Sequence, residues 1–333
     1  MTHDSNDLTL LTLFSSYKFC YNGKQSRNFF LIAVERKDKG MPDFPIIDAH
    51  VHLWDPTRFR MPWLDDNALL NKPHVLAEYR QHTQGIDIEG MVYLEVDVAH
   101  AYGLLEAQWA ANLAKEDPRL QGVVAWAPVE DGECVRTYLD ALVAIGPLVK
   151  GVRRILQSEA DSDYCLRPGF VRGVQLLSEY GLSFDICIYH HQLKSVTELV
   201  RQCPDISFML DHIAKPVIAA HNLDPWGEEI EALAAYPNVT CKVSGLVTEA
   251  DKEHWIADDL APYVQHVLTT FGEDRVAFGG DWPVVLNASS YSGWVEALDS
   301  LTAHLSEEAR RKLWAENARR FYRLRTPLTR KTT

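Results

Sequence analysis

The sequence predicts a single (β/α)8 barrel of the α/β class. Three observations lead to this expectation: a length of 333 residues, eight short apolar runs separated by segments of helical period, and no glycine-rich GxGxxG after the first run. A barrel of roughly 250 residues fits this length without a second core. Short apolar runs that alternate with helices are typical of βα units and a parallel sheet. The missing glycine motif disfavours an open dinucleotide-binding sheet.

The apolar runs are the predicted strands. They are Ile46–Leu53, Gly90–Val96, Gly122–Pro128, Val149–Leu156, Leu182–Ile188, Ile206–Leu210, Val239–Val243 and Val276–Gly279. Between them the helical period is clearest over Leu104–Lys115, Val171–Tyr180 and Ile256–Phe271. The final helix, Glu307–Tyr322, is expected to seal the outer ring.

The barrel is expected to span residues 42–326, between an N-terminal extension, 1–41, and a C-terminal tail, 327–333. Residues 1–40 show no sustained helical or strand period, and Met41 stands just before the first run. We therefore expect a protein that begins at Met41 to keep its fold and its turnover. Comparing the activity of the truncated and full chains tests this. A loss of turnover would make the extension a cap or an interface.

Charge and composition exclude several classes of partner. The formal net charge is −13, and the first forty residues carry an excess of two positive charges, so the remainder carries −15. A surface of this sign repels phosphates, and nucleic acid is not expected as a partner. No stretch approaches the roughly 18 apolar residues of a membrane helix. Six cysteines without a CxxC pair fit a reduced, cytoplasmic protein. A small organic substrate is expected, and a homo-oligomer is left open.

Two histidines, His50 and His52, close the first apolar run. Because strand side chains alternate, both imidazoles should point to the same face. They stand at the carboxyl end of the strand, where barrel active sites are built. Two inward imidazoles need polar partners that an apolar core does not supply. Metal ligation or substrate polarisation is therefore favoured over a structural role.

Two further groups end later runs: His212 follows the sixth and Asp281 the eighth. Together with the first pair they suit Zn²⁺ or Mn²⁺, whose bound water is acidified to a pKa of about 7. The same four groups also work without metal, when imidazoles donate to a carbonyl oxygen and Asp281 takes the proton from water. The residues leave both alternatives open. For Asp281 a helix N-cap is the structural alternative.

Five phrases resemble the amidohydrolase-related lactonases: IIDAHVHLWDP, KGVRRILQ, FMLDHIAKP, CKVSGLVTEA and AFGGDWPV. This family includes L-fuconolactonases, L-rhamnonolactonases, sulfomuconolactone hydrolases and pyrone-dicarboxylate lactonases. The resemblance runs from about Pro45 to Leu324 and implies a hydrolase that opens a sugar-acid, muconolactone or pyrone-type lactone with the same four groups at its centre. This chain departs from many relatives at Gly280, where they have Ser, and at Glu95, which is often Gln. Glu95 is thus a candidate for substrate selection or an extra metal ligand.

Arg153 and Arg154 end the fourth run, and alternation allows only one of them to enter the pocket. A guanidinium there binds a carboxylate or sulfonate, which favours an anionic lactone. We expect Arg154→Met to raise KM for an anionic lactone more than for a neutral one.

Four other side chains are candidates for the pocket lining. His190 and His191 end the fifth run, where the resemblance implies a hydroxyl or carboxylate contact. Trp54 and Trp282 follow the first and eighth runs and offer apolar surface. Ordinary packing is the alternative for both tryptophans.

Two other functions are open on the sequence alone. One is a metal-dependent decarboxylase of the same superfamily, and the other is an inactive barrel that acts as a binding module. Retention of all four central groups disfavours the binding module. Assays of lactones against aromatic carboxylic acids separate the two enzymes.

Overall fold

The computed structural model describes residues 41–325, which form the predicted eight-stranded parallel barrel. The strands are β1 Ile46–Val51, β2 Ile88–Leu94, β3 Leu120–Ala125, β4 Val149–Arg153, β5 Ser183–Ile186, β6 Phe208–Leu210, β7 Val239–Val243 and β8 Val276–Phe278. They pair in sequence order. Several predicted runs extend past the observed strands, to Leu53 for β1 and Leu156 for β4. Both residues stay buried after pairing ends, so an apolar pattern does not mark the strand terminus.

Helices follow the strands and form the outer layer. They are α1 Leu76–His82, α2 Gly103–Leu113, α3 Val135–Val143, α4 Pro168–Leu176, α5 Leu193–Gln202, α6 Trp226–Ala234, α7 Leu246–Glu249, α8 Ala257–Phe271, α9 Tyr291–Thr302, α10 Glu307–Arg311 and α11 Asn317–Phe321. The predicted helices over Leu104–Lys115 and Ile256–Phe271 correspond to α2 and α8. The predicted Val171–Tyr180 helix is α4 continued by a 3-10 turn, Leu177–Tyr180.

The barrel closes where β8 returns to β1. The amide of Asp281 donates to the carbonyl oxygen of His50, and the amide of His52 donates to that of Trp282, both at 2.8 Å. These bonds lie just beyond the carboxyl end of β8. Closure therefore places the Asp281 backbone directly against the two histidines of the first strand.

A bulge in β1 separates Asp48 from Val51. The Asp48 carboxylate accepts hydrogen bonds from the hydroxyls of Tyr79, at 3.1 Å, and Tyr291, at 2.8 Å, and from the amide of Gly280, at 2.7 Å. A Cβ at Gly280 would lie 2.3 Å from the Tyr291 ring and 2.5 Å from Asp48. The serine that many relatives carry at this position therefore does not fit beside Tyr291 without a shift.

The final helical segment is not one regular α-helix. It comprises α10, a π-helical turn over Lys312–Glu316, and α11. Its residues Ala315, Ala318 and Tyr322 pack against inward apolar side chains such as Ile47 and Val92. The segment thus covers the amino-terminal end of the barrel, and Trp314 also packs 4.5 Å from the ring of Phe278 of β8. Its small alanines allow close approach to the barrel floor.

The expected tail, 327–333, and the expected extension, 1–41, lie outside the described residues, Met41 excepted. Across residues 41–325, every helix is too short or too polar to span a lipid bilayer.

Candidate active site

The four candidate catalytic residues meet at the carboxyl end of the barrel, and they are His50, His52, His212 and Asp281. Nε2 of His50 lies 3.0 Å from Nε2 of His52, and Asp281 Oδ1 lies 3.7 Å and 3.6 Å from these two nitrogens. The ring of His212 stands 4.3 Å from that of His50, and its Nδ1 is 4.0 Å from Asp281 Oδ2. All four side chains are buried. The structure therefore assembles three imidazoles and one carboxylate in a single pocket.

The tautomer of His52 follows from its backbone partner. Its Nδ1 lies 3.0 Å from the carbonyl oxygen of Leu94, which only accepts hydrogen bonds, so Nδ1 carries the proton. Burial lowers the pKa of His52 to about 3, and the ring is neutral at pH 7. Its Nε2 therefore presents a lone pair to His50. Two nitrogens at 3.0 Å then require either a proton on Nε2 of His50 or a cation that both nitrogens bind.

Two side chains near Nδ1 of His50 provide a hydrogen-bond partner for this nitrogen, whether or not it carries the proton. Nζ of Lys242 and Oδ1 of Asp211 each lie 3.3 Å from this nitrogen. When Lys242 donates to Nδ1, the proton of a neutral His50 is on Nε2, which then donates toward the pocket. When Asp211 accepts from Nδ1, the Nε2 lone pair is free for a metal ion. Burial lowers the pKa of His50 well below its ordinary value, so the ring is neutral in both states.

The spacing of the donor atoms fits a first-row metal ion. His50, His52 and Asp281 offer two imidazole nitrogens and a carboxylate oxygen, the donor set of many zinc sites. Ligand atoms held about 2.0–2.1 Å from a tetrahedral zinc lie about 3.4 Å apart. The three separations of 3.0, 3.7 and 3.6 Å bracket this value. His50 also forms a second such group with Asp211 and His212.

A chain of buried ions crosses the barrel beneath the histidines. Nζ of Lys242 lies 3.1 Å from Asp185 and 2.8 Å from Asp211, whose other oxygen is 3.1 Å from Nη1 of Arg153. Nε of Arg153 lies 2.8 Å from Glu95, and its Nη2 donates to the Glu95 carbonyl. Sequence reasoning missed Lys242, Asp185 and Asp211. The available signal was a charged residue inside each of two apolar strand runs, Asp185 and Lys242, and an acid directly after a third, Asp211.

The buried ion pairs described above influence the pKa values of the carboxylates at the site. Burial alone would raise the pKa of Asp211, but Lys242, His50 and Arg153 bring it well below its ordinary value. Burial raises the pKa of Asp281 to about 7, against the opposing influence of nearby cations. Asp211 is thus ionised at neutral pH, whereas Asp281 gains or loses its proton near pH 7. A base poised in this way suits proton transfer.

His212 is held by an unusual backbone turn. The four residues from His212 to Lys215 have φ values of 53°, 47°, 62° and 49°, all left-handed, and none is glycine. This conformation costs about 1–2 kcal/mol for each L-residue. Nδ1 of His212 lies 2.9 Å from Ser244 Oγ, and a Cβ at Gly245 would lie 2.6 Å from the same nitrogen. Strain of this kind persists mainly at functional sites.

Arg153 is the arginine that enters the barrel. Its Nη1 lies 3.3 Å from Nε2 of His50. Arg154 points the other way, where Glu130 and Glu159 hold its guanidinium at 3.0 Å and 2.6 Å. Each arginine is therefore paired with two carboxylates of this chain. The structure does not place Arg154 with the central groups, and its contact with an anionic lactone stays a prediction.

Glu95 lies in the barrel, but both of its carboxylate oxygens have partners. Oε1 accepts from Arg153, and Oε2 accepts from the amide of Asp97 at 2.7 Å. Neither metal-ligand group found among residues 41–325 includes Glu95. The expectation of an extra metal ligand is therefore not supported, and its role in substrate selection stays a prediction.

The remaining candidates lie farther out. His190 and His191 form a 3-10 turn after β5, with His190 half-buried and His191 exposed at the rim. Trp54 packs 6.4 Å from the His52 ring and donates to backbone carbonyls of its own loop. Trp282 is fully buried, and its ring faces Tyr79 of α1 at 5.4 Å. Its expected place in the wall of the pocket stays a prediction.

Comparisons with known proteins identify the family of this chain. Residues 47–324 match the family model described as Amidohydrolase. A protein of Burkholderia multivorans named L-fucono-1,5-lactonase is 30% identical over 295 residues, covering 84% of this chain and 97% of the relative. The L-fucono-1,5-lactonase of Burkholderia ambifaria is 29% identical over 290 residues, with coverages of 84% and 96%. A crystal structure of an amidohydrolase from Burkholderia multivorans with bound zinc is 27% identical, with a TM-score of 0.76 and coverages of 85% and 100%. The family match spans most of the sequence and all eight strands but the first residue of β1, and on this ground the chain belongs to the amidohydrolase family.

Proposed function

We propose that this protein hydrolyses a lactone by water attack on the ring ester carbonyl. The observation that carries the proposal is the placement of Asp281, whose carboxylate lies within 3.7 Å of Nε2 of both His50 and His52 in a buried pocket. A base is thereby set beside His50, which polarises a carbonyl when its Nε2 carries the proton, and beside two imidazoles that together hold a metal ion. The two relatives named L-fucono-1,5-lactonase support a lactone as the substrate class.

The chemistry follows from the positions of the side chains. In the Nε2–H state, the carbonyl oxygen replaces Nε2 of His52 as the acceptor of the His50 Nε2–H, and this hydrogen bond stabilises the negative charge that develops on the oxygen. Asp281 takes a proton from water as the water oxygen bonds to the carbonyl carbon. The ring C–O bond then breaks, and the alkoxide receives that proton from Asp281. The product is an open-chain hydroxy acid.

A divalent metal ion fits the same residues. We propose that His50, His52 and Asp281 hold zinc or manganese, with His212 completing the set. The chemistry that a bound ion supplies at this place is Lewis-acid polarisation of an ester carbonyl. Asp211 would then accept the Nδ1 proton of His50 and orient the ring.

A substrate panel combined with metal analysis tests the proposed function. We expect turnover of six- and five-membered lactones and none of aromatic carboxylic acids, measured as acid release and CO₂ release respectively. Elemental analysis of the purified protein and activity after chelation show whether the metal is required. Decarboxylation without lactone hydrolysis would contradict the proposal.

The pH dependence of turnover follows from the raised pKa of Asp281. Since burial brings this pKa to about 7, the carboxylate is mostly protonated at pH 6 and mostly ionised at pH 8. A general base acts in its ionised form, so kcat/KM of chelator-treated protein should rise about tenfold per pH unit below 7 and level off above it. A pH–rate profile from 5.5 to 8.5 measures this. A flat profile would assign the base to another group.

A further inference from the structure

Lys215 is a cation at the barrel mouth that the proposed reaction has not used. It follows β6 at the end of the left-handed turn that carries His212. Its Nζ donates to Oε1 of Gln157 at 2.6 Å and lies 5.4 Å from the centre of the Tyr189 ring. Within residues 41–325, no carboxylate lies within ion-pair distance of this ammonium. Its only hydrogen-bond partner there is the neutral Gln157, so donor capacity remains.

Three other cations of this region, Arg153, Arg154 and Lys242, differ from Lys215 in this respect, and the carboxylate partners of Lys242 are Asp185 and Asp211. Arg153 is bound by Glu95 and Asp211, and Arg154 by Glu130 and Glu159. The charge of each is therefore balanced by carboxylates of the protein itself. Among these cations, Lys215 alone has no carboxylate partner within residues 41–325.

We propose that Lys215 and Gln157 form a subsite that binds a hydroxyl group on the substrate ring, which makes Lys215 a specificity-determining residue. This inference rests on the proposed lactone hydrolysis and narrows it to hydroxylated lactones. The subsite joins loops after β4 and β6, and Tyr189 from the loop after β5 covers its side. The Lys215 ammonium and the Gln157 side-chain amide N–H groups donate to a hydroxyl oxygen, while Gln157 Oε1 accepts from Lys215 and from the Cys187 thiol.

The charges around Lys215 favour a neutral substituent over a carboxylate. Burial lowers the pKa of Lys215, while Cys187, Asp281 and Glu249 of α7 raise it, with a net rise above its ordinary value. Two carboxyl groups therefore act on this cation. A substrate carboxylate bound here would be repelled by these two groups when they are ionised, whereas a hydroxyl carries no charge to be repelled.

The test compares Lys215→Met with the wild type on two six-membered lactones. One is the hydroxylated 1,5-lactone that the wild type hydrolyses fastest, and the other is δ-valerolactone, which has no ring hydroxyl. We expect Lys215→Met to lower kcat/KM on the hydroxylated lactone about 10- to 100-fold, because a charged hydrogen bond is lost. The value on δ-valerolactone should change by less than about threefold, with its inhibition constant as the measure if turnover is too slow.

Two variants serve as controls. Lys215→Arg keeps the donors and should restore most of the selectivity. Lys194→Met changes an exposed lysine of α5 that pairs with Glu229, and it should leave both substrates unaffected. Thermal unfolding of each variant confirms that the fold is intact.

The results for the wild type and for Lys215→Met distinguish a failure of the proposed function from a failure of the subsite. A wild type that opens no lactone overturns the proposed function and the subsite with it. A wild type that opens lactones, while Lys215→Met loses both substrates equally or neither, overturns the subsite alone. A larger loss on carboxylated lactones than on hydroxylated ones would reassign Lys215 to an anion site and also contradict the inference.

Discussion

Asp281→Asn is expected to lower kcat by about 10²- to 10⁴-fold, the usual contribution of a general base. Asn has the same size and is tolerated at the left-handed φ of 54° that this position adopts, so the backbone should not change. The amide still accepts a hydrogen bond but no longer takes a proton from water. KM should therefore change little, and steady-state kinetics separates the two parameters.

Metal content must be measured beside the rate, because Asn also weakens a metal site. Asp117→Asn is a matched control, since Asp117 is a buried aspartate that pairs with Arg80 and Arg119 away from the pocket. It should leave kcat unchanged. If Asp281→Asn keeps near-native kcat with full metal content, another group, such as Glu95 or His191, removes the proton.

Lys242→Met is expected to destabilise the fold by about 3–5 kcal/mol, because it leaves buried carboxylates without their cation. The ammonium contacts Asp185, Asp211 and His50, and none of these side chains is exposed. Methionine fills the space but offers no positive charge. Denaturant unfolding of the variant gives the loss of free energy directly.

Two comparisons sharpen this experiment. Lys115→Met changes an exposed lysine that donates to Asn112, and it should alter stability by less than about 0.5 kcal/mol. Adding Asp185→Asn to Lys242→Met removes one of the orphaned charges and should recover part of the loss. An unfolding free energy for Lys242→Met equal to that of the wild type would show that the buried ions do not support the barrel.

The sequence predicts the barrel well because each strand and helix leaves a local pattern. The pairing of His50 with His52 follows from alternation along one strand, and the carboxyl ends of parallel strands bring His212 and Asp281 to the same edge. Both predictions follow from the two-residue period of a strand and from the repeated βα units of the barrel.

The buried ion network could not be predicted from the sequence in this way, because its contacts depend on the register between strands. Lys242 contacts Asp211, the residue after strand β6, and Asp185 of β5, and no local sequence pattern predicts which side chains share a layer of the barrel. The same limit applies to Arg153 and Arg154. Alternation shows that only one enters the pocket, but only the pairing of β4 with its neighbours decides which one.

The closure of the barrel at the Asp281–His50 backbone bond makes activity a readout of the complete fold. The seam joins the first strand to the last, so residues more than 200 positions apart must meet before any catalytic centre exists. A fragment that ends before β8 has the histidines but not the acid, and it should remain silent in an assay even when its other strands are paired. Mixing such a fragment with a second one that carries β8 and the C-terminal segment should restore turnover only when the two halves dock along this edge. The turnover regained on mixing would then measure the fraction of fragments that have assembled into complete barrels. Spectroscopic signals, by contrast, report secondary structure alone.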